Sequence, residues 1–176
     1  MAKPVVIVVG ADKGGVGKTT VSRTLLDYFS ANSVPTRAFR RAVDALVQPW
    51  AGMKIDKVAG IEARGFILAA PVATQLGAGF IPIRKKGKLP GATFAEDYQL
   101  EYGTATIEVL TDAFDSGDRV LVIDDVLATG GTARATANLV QRTGARVAGL
   151  AVLLELSFLH GRAKLADLPV TALITV

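Results

Sequence analysis

The strongest constraint on the fold is an unbroken apolar run that ends in two acids. Residues 120–123 read Val-Leu-Val-Ile, and Asp124 and Asp125 follow directly. Four apolar residues in a row, mostly β-branched, are typical of a strand that is buried on both faces, as in a parallel sheet. A loop of threonine and glycine comes next, and a helical pattern runs from Ala133 to about Arg142. The stretch therefore predicts an α/β fold with a strand–loop–helix unit at its centre.

The loop of this unit has the composition of a phosphate site. A helix N-terminus presents free N–H groups and the positive end of its dipole, and ligands of open α/β sheets bind where strands end and helices begin. Glycines let the ligand approach the backbone, threonine hydroxyls add donors, and the two acids can accept from sugar hydroxyls or from the waters of Mg²⁺. We predict a site for a phosphorylated ribose with Mg²⁺, formed by Asp124, Asp125, Ala128, Thr129, Gly130, Gly131 and Thr132. The alternative is a buried strand followed by an ordinary acidic turn.

Composition excludes several other kinds of site. The chain has 176 residues, enough for one domain with a full core. It contains no cysteine, which excludes disulfides and thiolate chemistry, and its single histidine, His160, argues against a histidine metal cluster or a catalytic triad. The net charge of +4 suits a small anionic substrate but is too low to predict nucleic-acid binding. No apolar run reaches transmembrane length, so we expect a soluble, cytoplasmic protein without a membrane partner.

A second strand–loop–helix pattern stands near the start of the sequence. Residues 5–9 are apolar and β-branched, and a Gly-rich loop with a Lys-Thr pair separates them from a helical pattern that reaches Phe29. The loop resembles the deviant Walker-A loop of partitioning-type ATPases, although Asp12 replaces the first glycine of the strict P-loop pattern. In such loops the lysine reaches the terminal phosphates, and the threonine binds Mg²⁺. The predicted nucleotide site, for ATP, ADP or phosphate, comprises Lys13, Gly14, Gly15, Val16, Gly17, Lys18, Thr19 and Thr20, with Thr19 and either Asp124 or Asp125 as metal ligands.

The rest of the chain alternates predicted strands and helices. Helical spacing covers 39–47 and 66–76, with a short helical piece at 162–165, and strands are predicted at 57–61, 79–83, 103–110, 147–156 and 170–176. Residues 84–102 are rich in charge, glycine and proline, which predicts a long mobile loop of the kind that often covers a site. We predict one domain over 1–176 with three layers and a mostly parallel sheet, divided into a P-loop segment, 1–38, and a core, 39–176.

From about Phe39 to Val176 the sequence resembles the adenine phosphoribosyltransferases, which are type I phosphoribosyltransferases. The resemblance rests on residues 59–66 (AGIEARGF), 84–91 (RKKGKLPG), 100–103 (LEYG) and the stretch around Asp124 described above. It implies a type I phosphoribosyltransferase-like core and a purine-salvage reaction. In that reaction, 5-phosphoribosyl-1-pyrophosphate (PRPP) and adenine give AMP and pyrophosphate, with Mg²⁺ as cofactor. A homodimer is a further implication.

The resemblance also implies roles for individual residues. Glu101 is expected to be the catalytic-loop carboxylate near the base, with Tyr102 covering the site. Arg64 and Lys88 join Glu101 as catalytic residues, and PRPP-binding roles fall to Arg64, Arg84 and Tyr102 as well as to the phosphate loop. Breaking the C1–O bond gives an oxocarbenium-like centre and a negatively charged leaving group. The cations of Arg64, Arg84 and Lys88 are therefore expected to stabilise the charge on the departing pyrophosphate. The alternative for each is an ordinary surface or strand-edge residue.

Two unrelated resemblances meet near Ala38 and Phe39, which predicts a recombined or engineered chimera. In adenine phosphoribosyltransferases the segment before the Phe39 helix forms a hood over the base, whereas here the P-loop pattern stands in its place. We therefore expect the phosphate contacts to survive and purine recognition to be impaired. A P-loop nucleotide-binding protein with little turnover, or a hybrid that folds without activity, are the alternatives.

Overall fold

Strands and helices alternate along the residues that the computed structural model describes, which are 36–99 and 103–176. Within these ranges there are three α-helices: α1 (Thr36–Val47), α2 (Gly65–Leu76) and α3 (Gly131–Arg142). There are seven strands: β1 (Lys57–Ile61), β2 (Gly79–Lys85), β3 (Thr93–Gln99), β4 (Thr104–Leu110), β5 (Arg119–Leu127), β6 (Arg146–Glu155) and β7 (Val170–Thr175). Three short 3₁₀ turns lie at Gln48–Trp50, Ser157–Leu159 and Gly161–Leu165. None of the described helices is long and apolar enough to cross a membrane.

The strands form one sheet in the order β3-β4-β2-β1-β5-β6-β7. β1 lies at the centre and pairs in parallel with β2 and with β5, and the parallel pairing continues through β6 to β7. β4 runs antiparallel to both β2 and β3, so a hairpin closes one edge. The prediction of a mostly parallel sheet is confirmed.

Alternate residues of β5 face two different helical layers. Leu121 and Ile123 pack in a cluster with residues of α1 and α2, whereas Val120 and Val122 pack with residues of α3. All four side chains are at most 1% exposed. The apolar run at 120–123 is therefore buried on both faces, as its composition predicted, and the described residues form three layers.

The prediction of a continuous loop over 84–102 is wrong, because β3 occupies part of it. Phe94 and Tyr98 pack against the core, and Ala95 and Asp97, which lie between them in the chain, are exposed. This is the period of two that a strand requires. The polar residue Glu96 interrupts the apolar face and hides the alternation, but its carboxylate is used for hydrogen bonds to α3.

Other predicted elements are present with shifted ends. β5 continues through both acids to Leu127, and α3 begins at Gly131, two residues before the predicted Ala133. Residues Thr36–Val176 form one compact unit. The predicted P-loop segment, 1–38, lies outside the described residues except for 36–38, which begin α1. The P-loop, the added strand and the single domain over 1–176 therefore stay predictions.

Candidate active site

The carboxyl ends of β1 and β5 frame the candidate site. These two strands are neighbours, but the chain leaves β1 through α2 towards β2 and leaves β5 through α3 towards β6, in opposite directions along the sheet. α2 and α3 pack on opposite faces of the sheet. The loops after β1 and β5 therefore separate and leave a crevice, which is the place where open α/β sheets bind ligands.

An ion pair joins the two loops across this crevice. Arg64 lies in the turn after β1, next to the first residue of α2, and its Nε is 2.6 Å from Oδ2 of Asp125 on β5. The side chains are 34% and 17% exposed, so both can be reached from solvent. The backbone N–H of Asp125 donates to Oδ1 of Asp124 at 2.8 Å. Residues of two separately predicted motifs thus come together in one place.

Asp124 lies against the start of α2, where only glycine fits. A Cβ on Gly65 would lie 2.9 Å from the carbonyl oxygen of Ile123 and 3.1 Å from Oδ1 of Asp124. Burial raises the pKa of Asp124 well above its usual range, and the neighbouring carboxylate of Asp125 raises it further. Asp124 therefore holds a proton more readily than an ordinary aspartate.

Glu62 organises the basic segment that follows β2. Its side chain is 8% exposed and accepts hydrogen bonds from Nε of Arg84 (3.2 Å), from the backbone N–H of Lys85 (3.0 Å) and from the ammonium group of Lys88. Burial by itself raises the pKa of Glu62, but the bonds from Lys88, Lys85 and Arg84 outweigh it, and the pKa falls below its usual value. The predicted cations Arg84 and Lys88 therefore converge on the carboxylate of Glu62, two residues before Arg64, and a cis peptide bond joins Glu62 to Ala63.

Sequence reasoning missed this role of Glu62. The residue lies inside the family-like motif 59–66, but nothing in the sequence near it indicates that it binds Arg84 and Lys88, which are 22 and 26 residues further along the chain. The same holds for Glu108 on β4, which is 7% exposed and accepts the backbone N–H of Gly87 at 2.9 Å. Together the two acids fold the segment 84–88 back onto the sheet.

The predicted phosphate loop lies at the N-terminus of α3. Gly130 precedes the helix with φ +75°, a conformation that favours glycine, and its carbonyl accepts the first helical bond from Arg134 N–H at 2.9 Å. No side chain among the described residues caps this helix end. Its first N–H groups therefore have no side-chain partner among the described residues, and the phosphate site stays a prediction. Ala128, Thr129, Gly131 and Thr132 are partly exposed around them.

The described residues can supply only part of a Mg²⁺ coordination shell. They contain no group of three or more histidine, aspartate or glutamate side chains that could enclose a metal. Mg²⁺ is commonly bound through one or two carboxylates, substrate phosphates and several waters, so a pair such as Asp124 and Asp125 suffices. Glu101, Tyr102 and all of the predicted P-loop residues, 13–20, lie outside the described residues.

Comparison with known proteins places this geometry in a family context. The family model for the phosphoribosyl transferase domain matches residues 35–167. The adenine phosphoribosyltransferase of Thermobifida fusca is 63% identical over 144 residues, which cover 82% of this chain and 81% of the relative. The match to the family model starts at residue 35, so it gives no support to the predicted P-loop chimera.

Solved structures agree with the sequence matches. The crystal structure of adenine phosphoribosyltransferase from Rhodothermus marinus is 56% identical, has a TM-score of 0.76, and the match covers 78% of each chain. The enzyme from Trypanosoma brucei, solved in complex with AMP, pyrophosphate and ribose-5-phosphate, is 30% identical with a TM-score of 0.76, over 84% of this chain and 68% of that one. The fold is thus shared with this group of structures.

Proposed function

Because the chain belongs to the adenine phosphoribosyltransferase family, within the phosphoribosyl transferase domain family, we propose that it converts adenine and PRPP to AMP and pyrophosphate. The observation that carries the proposal is the Arg64–Asp125 ion pair. It brings the motif expected to bind pyrophosphate and the motif expected to bind ribose phosphate to one crevice, as a single substrate with both groups requires.

The 5-phosphate of PRPP is assigned to the loop 128–132. The first turn of α3 offers N–H groups without a side-chain cap, and small residues leave its backbone open to the ligand. Thr129 and Thr132 supply hydroxyl donors beside it. The carboxylates of Asp124 and Asp125, on the preceding strand, are proposed to accept hydrogen bonds that the ribose hydroxyls of the same ligand donate.

The pyrophosphate of PRPP is assigned to Arg64, Arg84 and Lys88. When C1–O breaks, the bonding electron pair leaves with pyrophosphate, N9 of adenine supplies the pair for the new bond, and the proton of the adenine imidazole ring is released to solvent or to a nearby acceptor. Cations fixed in advance around the departing oxygens lower this barrier without having to reorganise. Lys88 and Arg84 are partly exposed while bonded to Glu62, so they can meet an incoming anion without first leaving the protein interior.

Mg²⁺ is proposed to bind at Asp124 and Asp125, directly or through water, together with oxygens of PRPP. When bound, the ion neutralises phosphate charge and orients the substrate. The negative charge of Asp125, beside the carboxyl group of Asp124, favours a cation at this place. The protein's own contribution is to hold the two carboxylates beside Arg64, so that the charges of metal and guanidinium meet the same ligand.

Glu101 and Tyr102 keep their proposed places near the base, on the grounds of family resemblance. Purine recognition is the part of the proposal that depends on residues 1–38, where the family-like hood is replaced, and impaired turnover is the corresponding expectation. A homodimer, implied by the family resemblance, and a cytoplasmic location, expected from the lack of an apolar run of transmembrane length, likewise stay proposals.

The test is to measure AMP formation from adenine and PRPP with Mg²⁺, and to titrate the full chain with PRPP. Asp125→Asn is expected to weaken PRPP binding about tenfold or more, because a hydrogen bond to a charged group contributes about 1.5–3 kcal/mol. Wild-type protein that binds no PRPP would refute the proposal. Binding without turnover would locate the defect in base recognition.

Nucleotide binding at residues 13–20 is the alternative, supported by sequence pattern alone. Titration with ATP or ADP and Mg²⁺ tests it, with Lys18→Ala as the variant that should abolish binding there. Unchanged PRPP binding by Lys18→Ala is expected, because the crevice residues lie in another part of the chain. ATP binding without PRPP binding would move the function to the P-loop segment.

A further inference from the structure

The segment after β6 touches the phosphate loop, although it supplies no group to the proposed reaction. A Cβ on Gly130 would overlap the carbonyl oxygen of Gly161, with the Gly161 carbonyl carbon at 3.0 Å. Conversely, a Cβ on Gly161 would overlap the carbonyl oxygen of Ala128 and lie 2.9 Å from the backbone nitrogen of Gly130. The two turns therefore meet backbone to backbone, and the position of one limits the position of the other.

The Gly161 turn is itself tied to the end of β6. Glu155, 6% exposed, accepts from Nε of Arg162 at 2.9 Å and also from its terminal NH2 nitrogen. The other terminal nitrogen of Arg162 donates to the carbonyl of Val170 at the start of β7, at 2.8 Å. The guanidinium of Arg162 thus ties the turn that contains Gly161 to β6 and to β7.

A second ion pair ties the same segment to α3. Asp167 lies after the Gly161–Leu165 turn, and its carboxylate is 2.7 Å from a terminal nitrogen of Arg134 in the first turn of α3. The segment is therefore fastened on the sheet side by Arg162 and on the helix side by Arg134. The same segment includes Gly161, which contacts the phosphate loop.

We propose that Arg162 and Glu155 are positioning residues that hold the phosphate loop in shape through Gly161 and so set its affinity for the 5-phosphate of the substrate; this rests on the proposed assignment of residues 128–132. An anion site made of backbone N–H groups works only when those groups converge, and small displacements are costly. The loop consists of small residues with little side-chain packing, so the backbone contact with Gly161 is what limits its position. Breaking the pair leaves a charge on buried Glu155 without its partner, so the turn moves only at considerable cost.

The experiment titrates the full chain separately with ribose 5-phosphate and with inorganic pyrophosphate, in wild type and in Arg162→Gln. Binding of ribose 5-phosphate is expected to weaken about tenfold, as a displaced binding group predicts. Binding of pyrophosphate should stay unchanged, because it is assigned to Arg64, Arg84 and Lys88. Arg162→Lys should restore part of the lost affinity, since the ammonium can still pair with Glu155.

Two further variants separate positioning from general loss of structure. Asp167→Asn breaks the more exposed pair and is expected to weaken ribose 5-phosphate binding in the same direction, by about two- to threefold. Asp56→Asn is the matched control: it removes an ion pair with Lys54 and the charge on the acceptor of the Arg119 N–H, at the opposite end of β5, and it should leave both affinities unchanged.

The outcomes distinguish this inference from the proposed function. Arg162→Gln protein that binds ribose 5-phosphate as tightly as wild type refutes the positioning role and leaves the proposed function standing. Equal weakening of ribose 5-phosphate and pyrophosphate also refutes it, because the change would then be general. Wild-type protein that binds neither PRPP nor ribose 5-phosphate refutes the proposed function itself, and the inference with it.

Discussion

Replacing Gly130 by alanine tests the construction of the phosphate loop most directly. Two costs arise. Alanine at φ +75° adopts the left-handed region, at about 1–2 kcal/mol. The new Cβ also overlaps the carbonyl group of Gly161, a rigid backbone neighbour, and overpacking of this kind costs about 1–3 kcal/mol. The sum is about 2–5 kcal/mol, which corresponds to a decrease in Tm of about 4–20 °C for a chain of this size.

Gly117→Ala is the matched control for this prediction. Gly117 has φ +89°, and a Cβ there meets nothing within 4 Å, so only the conformational cost applies. We expect Gly117→Ala to lower Tm by about 2–8 °C and to leave PRPP affinity unchanged, whereas Gly130→Ala lowers both. Thermal unfolding can be followed by the fluorescence of Trp50, the only tryptophan and 3% exposed. A Gly130→Ala protein no less stable than Gly117→Ala would refute the close contact between the two turns.

Three further predictions concern the charged groups of the crevice. Asp124→Asn should stabilise the protein at pH 8 and make no difference near pH 4. Because the pKa of Asp124 is raised in the folded state, the wild-type protein loses stability as the pH rises from the unfolded pKa of about 3.9 through the folded pKa. Denaturant unfolding at both pH values measures the difference. Glu62→Gln should lower the free energy of unfolding by about 1–3 kcal/mol at pH 7. The difference from wild type should shrink as the pH falls through the lowered pKa of Glu62, because the carboxylate stabilises the folded state only while it is ionised. A difference that grows in acid would contradict the hydrogen-bonding pattern. Lys88→Ala should change stability by less than about 1 kcal/mol, since the side chain is 47% exposed, yet weaken pyrophosphate binding in calorimetric titration; unchanged binding would remove Lys88 from the site.

The central part of the fold was predictable because its signals are local. The run at 120–123 contains its own burial pattern, and the glycines and threonines that follow it mark a helix N-terminus without reference to any other segment. β3 was missed because Glu96 interrupts its apolar face. Its partners, the amide of Asn138 (2.9 Å) and the guanidinium of Arg142 (3.2 Å), come from a helix more than 40 residues away.

The candidate site was predictable as a set of residues but not as a set of contacts. The sequence predicts ligand binding by Arg64 and by Asp125, yet their pairing depends on β1 and β5 being neighbours, which strand composition does not determine. It predicts no contact for Glu62 or Gly161. Glu62 binds cations and Gly161 contacts Gly130 only because the fold brings residues that are distant in the sequence close together, so neither role can be recognised from the sequence.

The central pairing of β1 with β5 has a consequence for how the molecule assembles. The chain between them is long: the bond from Arg119 N–H to Asp56, at the start of this pairing, spans 63 residues. The β3–β4 hairpin and the helices need only local contacts and can form early, whereas closing so long a loop is slow. Both halves of the crevice meet only when that closure is complete. Ligand added to a refolding sample should therefore leave the early phases unchanged and stabilise only the last species, so that binding reports completion of the sheet.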